Sequence, residues 1–524
     1  MNTANFLSIP ASMFPDQEVL VFENTRLTYS AALERVRRLA SGLRYLGIRP
    51  GDRVAMLQTN CHQFLETYYA TATLGATFVP LNYRAKPPEL AYMVSAADVR
   101  ALFVGDRYLD MVDQLKPRFS GVRHYVAVEN PHPGLLCFEE LLGAGSGEID
   151  EAEVNESDVS ILMYTSGTTS LPKGVMLTYG DFTNYVVGTV EMADGSPRGV
   201  SLLCAPLYHI AGVASIMTAL WAGRKIVVLR QFEVQEWLVA VQQEKVTHAF
   251  VVPTMMKQLL DHPRFATFDL SSLENLAYGA APMPFSVIRR AIATFPKTTK
   301  FVNAFGQTET TSTLTVLGPE DHRLDGAPEE VERNLKRLTS VGRPLPDVEV
   351  RVRDDDNHDL PPNQVGEITI RTPRIMKGYV SKESAQKEDA LDPDGWLHTR
   401  DMGYVDEEGY IYLVGRKDDI IIRGGENIAP TEIEAVLQAH PAVEEAAVIG
   451  APDEEWGQKV VAFVVLRPNM MVSSAELSEF CRQHLANFKK PERIRFVDEL
   501  PKNPLGKLLR KELRTQYLGG SLSS

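Results

Sequence analysis

Tyr164-Thr165-Ser166-Gly167-Thr168-Thr169-Ser170-Leu171-Pro172-Lys173-Gly174 directly follows the apolar run Ser160 to Met163. The run reads as a buried strand, and the stretch after it as a loop built to hold phosphate. Small hydroxyls at Thr165, Ser166, Thr168 and Thr169, with Gly167 letting backbone N–H groups approach, can surround phosphate oxygens, and Lys173 adds a point charge. A Ser/Thr-rich surface loop shares this composition, but not the position between a buried strand and Pro-Lys-Gly. The spacing GxxxxGK[ST] is absent, which argues against a P-loop nucleotide hydrolase.

Outward from this loop, residues from about Ser160 to Glu309 alternate short apolar runs with helical patterns, the signature of parallel strands joined by crossover helices. Ser201 to Ala205 and Ala249 to Val252 read as buried strands, and Val234, Trp237, Leu238 and Val241 repeat at helical spacing. Arg53 to Leu57 and Ala101 to Val104 look like strands of a similar layer, and Gly143 to Ser157 is an acidic connector. After Gly366 the pattern changes to antiparallel strands, Glu367 to Arg371 and Tyr410 to Val414, which ends the parallel winding. Beyond Gly415 lies a tail read as strand, helix, strand, strand, helix, strand, enough for a separate small α+β domain, with Arg416 to Asp419 as the joint. Pro430 opens a helix running to about Ala439.

Bulk composition narrows the function. A chain of 524 residues exceeds what one core usually supports, so two or more domains are expected. A net charge of −14 disfavours a nucleic-acid surface, which needs concentrated Lys and Arg. No apolar run approaches the roughly 18 residues of a membrane span, so no integral membrane contact is expected. Cys61, Cys137, Cys204 and Cys481 are far apart with no CxxC spacing, suggesting neither zinc nor disulfides. That cysteine usage fits a reducing cytoplasm, while Met1 to Pro10 shows no signal-peptide pattern and the end no SKL; a monomer or homodimer is expected.

Further motifs follow in order: Gly279-Ala280-Ala281-Pro282, Phe305-Gly306-Gln307-Thr308-Glu309, Trp396 to Asp401, Gly415 to Asp419, Gly424-Gly425-Glu426-Asn427 and Pro504-Leu505-Gly506-Lys507. With the loop quoted first, the chain resembles, over nearly its whole length, the adenylate-forming superfamily of acyl-CoA synthetases, firefly-type luciferases and peptide-synthetase adenylation domains. That resemblance implies an α/β protein. Its large N-terminal domain, residues 1–416, would have parallel sheets flanked by helices plus a distorted β-barrel-like part. A small mobile α+β C-terminal domain, residues 417–524, would follow. It also implies ATP, Mg2+ and coenzyme A as co-substrates and a small carboxylic acid as the group transferred.

The family's roles carry over residue by residue. Thr308 would contact the α-phosphate, and Glu309 would hold Mg2+, as suits a hard oxygen ligand. Gly279, Ala280, Ala281, Gly306 and Gln307 would complete the nucleotide site. Phe305, where the family more often has tyrosine, would stack on adenine. Asp401 and Arg416 match the ribose-binding pair, a carboxylate being able to accept from vicinal hydroxyls; a surface salt bridge is the alternative. Lys507 would stabilise the adenylation transition state as a fixed cation, although Lys507, Lys511 and Arg514 could also form the solvated face of a terminal helix. Asp418 would be the hinge. Gly424 and Gly425 would face the pantetheine arm, with Arg84, Trp456, Phe488 and Lys490 at the CoA nucleotide. Ser170 replaces a glycine that usually follows the paired threonines.

The segment Pro206 to Val213 contains no acid that could hold an ammonium group, unlike the peptide-synthetase relatives. His209 resembles the family position beside the substrate carboxylate. Ile210, Val213, Val251, Met255 and Ala304 would line an apolar pocket, suited to a monocarboxylate with a hydrocarbon or aryl tail. A medium- or long-chain fatty acid is the first expectation, an aromatic or alicyclic acid the alternative. A luciferase-like oxygenase and a silent nucleotide-binding protein are the rival functions.

Overall fold

The computed structural model describes residues 1–165, 171–196, 198–380, 391–502 and 508–519. Among these, two large sheets dominate. One has nine strands, in the order Arg343–Pro344, Ser312–Leu317, Lys300–Gln307, Asn275–Gly279, His248–Val251, Val200–Leu203, Lys225–Val228, Glu18–Phe22 and Thr25–Thr28. The six strands from Lys300–Gln307 to Glu18–Phe22 are parallel, with antiparallel strands at both edges. The other has eight, ordered Gly378–Tyr379, Lys173–Thr178, Val159–Thr165, Thr77–Pro80, Arg53–Leu57, Val99–Val104, His124–Ala127 and Leu136–Cys137.

Period-two alternation explains why the central strands are apolar almost throughout: they are buried on both faces, and successive side chains enter different cores. Leu20 and Phe22 enter the core shared by the two sheets, while Val21 faces the outer core of the nine-stranded sheet. Val54 and Met56 enter the shared core, and Ala55 and Leu57 the outer core of the eight-stranded sheet. Helices fill the shared layer. Residues Tyr29–Tyr45 place Ala32, Val36, Leu39, Ala40 and Leu43 on one buried stripe, and the N-cap Thr28 accepts a hydrogen bond from Ala31 N. Each leucine so buried contributes roughly 1.5–3 kcal/mol.

The β-barrel-like part takes the form of a four-stranded antiparallel sheet, Glu349–Arg353, Gly366–Arg371, Leu397–Val405 and Ile411–Arg416. The smaller C-terminal domain is built on Val443–Asp453, Gly457–Leu466 and Arg493–Phe496, with alternate residues again dividing between two cores. Lys257 Nζ meets Glu444 Oε1 at 3.0 Å between the body and this domain.

Four expectations need correction. Ser160 to Glu309 is not one parallel run: Val159–Thr165 lies in the eight-stranded sheet and pairs antiparallel with Lys173–Thr178, so the phosphate-loop motif falls between two antiparallel strands. Antiparallel pairing also begins before Gly366, at Ser312–Leu317. The tail starts with a hairpin, Ile421–Arg423 and Glu426–Ile428, and has a further helix at Arg510–Leu518. Lastly, the connector begins later than expected, because Gly143 and Ala144 complete the helix Phe138–Ala144. The pairing errors share a cause: a strand buried on both faces shows an uninterrupted apolar run whichever way its neighbours point.

Candidate active site

The expected site residues collect at the C-terminal ends of adjacent parallel strands, where open α/β sheets leave a crevice. Val200–Leu203 leads to His209, His248–Val251 to Met255, Asn275–Gly279 to Ala280 and Ala281, and Lys300–Gln307 to Thr308 and Glu309. Glycine is required where the backbones close up. A Cβ on Gly279 would lie 2.1 Å from Ala304 O, and one on Gly306 would lie 1.7 Å from Ser312 O.

The phosphate-loop hairpin reaches this crevice from the other sheet. Thr165 and Lys173 are register partners at its loop end. Ser166, Gly167, Thr168, Thr169 and Ser170 lie outside the described residues, as does Lys507. Lys173 Nζ stands 5.4 Å from the ring centroid of Tyr379, and Tyr379 Oη donates to Glu309 Oε1 at 3.1 Å. Burial and the neighbouring Glu309 carboxylate push the Tyr379 hydroxyl well above its ordinary range, so it stays a donor. Tyr379 thus ties the hairpin to the end of the nine-stranded sheet. Sequence reasoning missed it; the only signal was its place in Met376-Lys377-Gly378-Tyr379, after an unassigned stretch.

Next to Glu309, the Gln307 amide donates to Asp401 Oδ2 at 2.7 Å, and Arg416 Nε meets Asp401 Oδ1 at 2.7 Å. Asp401 and Arg416 are cross-strand partners, which fixes the pair. Asp401 is buried, Arg416 half-buried and Phe305 half-buried beside the antiparallel sheet. Asp401 is therefore in an ion pair with a partly exposed Arg416 and also accepts from the Gln307 amide. Asp418 is held by Arg400 through two hydrogen bonds, one of 3.0 Å from Nε, and this partner keeps its carboxyl below the usual range.

The residues expected at the acyl end look different. His209 Nε2 is covered and has no hydrogen-bond partner among the described residues, and its ring lies 4.2 Å from that of Tyr208. Desolvation, with help from the Arg84 charge, lowers its pKa to about 4, so the ring is neutral at pH 7. Val251 and Met255 pack into the outer core of the nine-stranded sheet, Val213 and Ile210 against the shared core, and Ala304 is half-buried.

The residues expected at CoA divide. Gly424 N donates to Trp456 O at 2.8 Å, and Arg423, which sequence reasoning did not single out, stacks on Trp456 and donates to Phe488 O at 2.8 Å. Gly425 follows in a left-handed conformation, φ +87°, and Lys490 is half-buried just after Phe488. Arg84 lies instead on the body, against Tyr83 and near His209.

A doubly wound body, expected site residues at the ends of adjacent parallel strands and a small α+β domain match the adenylate-forming class. The sequence matches the AMP-binding enzyme family over residues 8–380 and the AMP-binding enzyme C-terminal domain over residues 432–507. The chain belongs to the AMP-binding enzyme family. It is 35% identical to feruloyl-CoA synthase of an Amycolatopsis species, covering 97% of each chain. It is 32% identical to a fatty acid–[acyl-carrier-protein] ligase of Streptomyces coeruleorubidus, covering 98% of this chain and 96% of that one. Among solved structures, it superposes on o-succinylbenzoate CoA synthetase from Bacillus subtilis in complex with its acyl-adenylate intermediate, with TM-score 0.83, 29% identity, and 97% and 98% of the two chains covered. No helix among the described residues is long and apolar enough to cross a membrane.

Proposed function

We propose that this enzyme is an ATP-dependent acid:CoA ligase working in two half reactions at one crevice. The observation that carries the reading is the Lys173–Tyr379–Glu309 bridge, which sets the end of the phosphate-loop hairpin beside the strand end bearing Thr308, Glu309 and, through Gln307, Asp401.

A carboxylate resists nucleophiles because its charge is delocalised. In the first half reaction one carboxylate oxygen attacks the α-phosphorus of ATP, forming a mixed anhydride and releasing pyrophosphate. Thr165, the loop 166–169 and Lys173 hold the phosphates, Thr308 the α-phosphate, Asp401 and Arg416 the ribose, and Phe305 the adenine. The Glu309 carboxylate, fixed by Tyr379, is a hard oxygen donor that fits Mg2+, and the ion would offset phosphate charge. His209, neutral and unpartnered, orients the incoming carboxylate by a hydrogen bond. Lys507 opposes the charge that develops between carboxylate and phosphate. In the second half reaction the CoA thiol attacks the acyl carbon and AMP leaves; Gly424 and Gly425 admit the pantetheine arm, with Trp456, Phe488 and Lys490 beside the nucleotide. Arg84, on the body, meets the CoA from the opposite side. The division at residues 416 and 417 places Asp418 at the turning point, in an enzyme that works in the cytoplasm.

For the acid, an aryl monocarboxylate leads. Feruloyl-CoA synthase and o-succinylbenzoate CoA synthetase, two relatives named for aromatic acids, support this reading. A medium- or long-chain fatty acid is the second reading, favoured by the fatty acid ligase relative. The test is CoA-dependent AMP production from ATP over a panel of cinnamate-type, arylacetic, alicyclic and fatty acids. Absence of AMP with every acid sinks the ligase; a fatty acid with the highest kcat/KM sinks the aryl preference alone.

A further inference from the structure

Arg374 is the only arginine among the largest fully buried side chains of the described residues, with relative exposure 0%. Its surroundings account for four of its five N–H groups. Nε and one terminal nitrogen grip Asp347 at 2.6 and 3.0 Å, and the other terminal nitrogen donates to the carbonyl oxygens of Thr310 and Thr313 at 3.1 and 3.0 Å. The grip is returned by the main chain. Thr311 Oγ1 donates to Arg374 O at 3.1 Å, and Met376 N donates to Glu309 O at 2.8 Å.

What lies between those two carbonyls is a conformation the chain does not favour. The turn Thr308–Thr310 is followed by two successive non-glycine residues in the left-handed region, Thr311 at φ +52° and Ser312 at φ +82°. Such residues persist only where the surroundings over-determine them. Thr310 and Thr311 are fully buried, so water cannot satisfy their backbone. The guanidinium, its charge balanced by Asp347, joins the start and finish of the reversal, and Tyr185 caps it, its Oη 3.2 Å from Thr313 Oγ1.

We infer that Arg374 is a positioning residue of the adenylation site: by clasping the carbonyls of Thr310 and Thr313 it holds the left-handed reversal that aims Thr308 and Glu309 at the α-phosphate and its divalent ion. This rests on the function proposed above. Arg374 touches no reactant; it acts through the turn. A lysine keeps the charge for Asp347 but lacks the planar fork that reaches both carbonyls.

The experiment is calorimetric titration of the full-length protein with ATP, in Mg2+ and in EDTA, for wild type, Arg374→Met and Arg374→Lys, with melting temperatures alongside. The readout is the gain in ATP affinity that Mg2+ gives, a property of folded molecules that a stability loss alone does not move. The expected result is a gain about tenfold smaller in either folded variant than in wild type, the size typical of losing an outer partner of an ion ligand. A gain within twofold of wild type in a folded variant overturns the inference. So does failure of both variants to fold, the behaviour of a core ion pair with no separate effect on the site. Wild type that binds no ATP breaks the proposed function and this inference together, whereas wild type that binds beside a folded variant with an unchanged gain breaks only the latter.

Discussion

The residues proposed for the nucleotide end and for the acyl end follow strands of the same nine-stranded sheet at Glu309 and His209, with Asp401 added from the four-stranded sheet, yet the two ends are built in opposite ways. Around Glu309 and Asp401 the side chains already bond one another, through Tyr379, Gln307 and Arg416. Around His209 the ring Nε2 is covered and has no hydrogen-bond partner among the described residues, and the ring lies beside Tyr208 and near the Arg84 charge. A constant ligand rewards a preformed network, because orientation is paid for in folding; a variable one is better met by shape and a single uncommitted polar group.

The contrast predicts that variants at the bonded end slow the reaction with every acid alike. Glu309→Gln keeps the volume but removes the charge, and adenylation should fall about 100-fold or more whatever acid is offered, read as acid-dependent pyrophosphate release. A change in the order of acids would break the comparison. Asp401→Ala leaves the Gln307 amide and Arg416 without their acceptor, and the KM for ATP should rise about tenfold, with the ranking of acids again unchanged in steady-state assays.

His209→Phe should act the other way, altering relative kcat/KM among acids several-fold while the KM for ATP moves less than twofold. Its titration gives a second check. The folded pKa of about 4 lies below the ordinary 6.5, so the unfolded chain binds the proton more readily. The stability gained from a neutral ring is therefore whole above pH 6.5 and is lost as pH falls toward 4, by roughly 3 kcal/mol at most. Melting curves of the Phe variant should be flatter over that window; an identical slope would place the pH dependence elsewhere. Tyr379→Phe should have the smallest effect, a two- to fivefold loss of adenylation, matching one hydrogen bond of about 0.5–1 kcal/mol.

The same division decided what could be read from the sequence. Glu309, Asp401 and Arg416 stand in short motifs whose polar residues have few other reasons to occur together, and the structure gathers them. The apolar positions Val251 and Met255 carry no such signal, since a core residue and a pocket residue are written with the same letters. The alternation of strand and helix gave the α/β class. It did not give the hairpin between Val159 and Thr178, because antiparallel and parallel partners of a fully buried strand demand the same hydrophobicity. Arg374 was illegible for a different reason: its partners Asp347, Thr310 and Thr313 are distant in sequence, and two of its contacts are to carbonyls that every residue has.

The joint between body and small domain carries its own arithmetic. Arg400 and Asp418 are 54% and 35% exposed at their side chains, so water and salt screen their attraction, and exposed ion pairs of this kind are worth about 1 kcal/mol or less. That is within reach of thermal agitation. The swivel proposed at Asp418 would thus meet a detent, not a lock: firm enough to define a resting angle, soft enough to release without help, and softer still in concentrated brine.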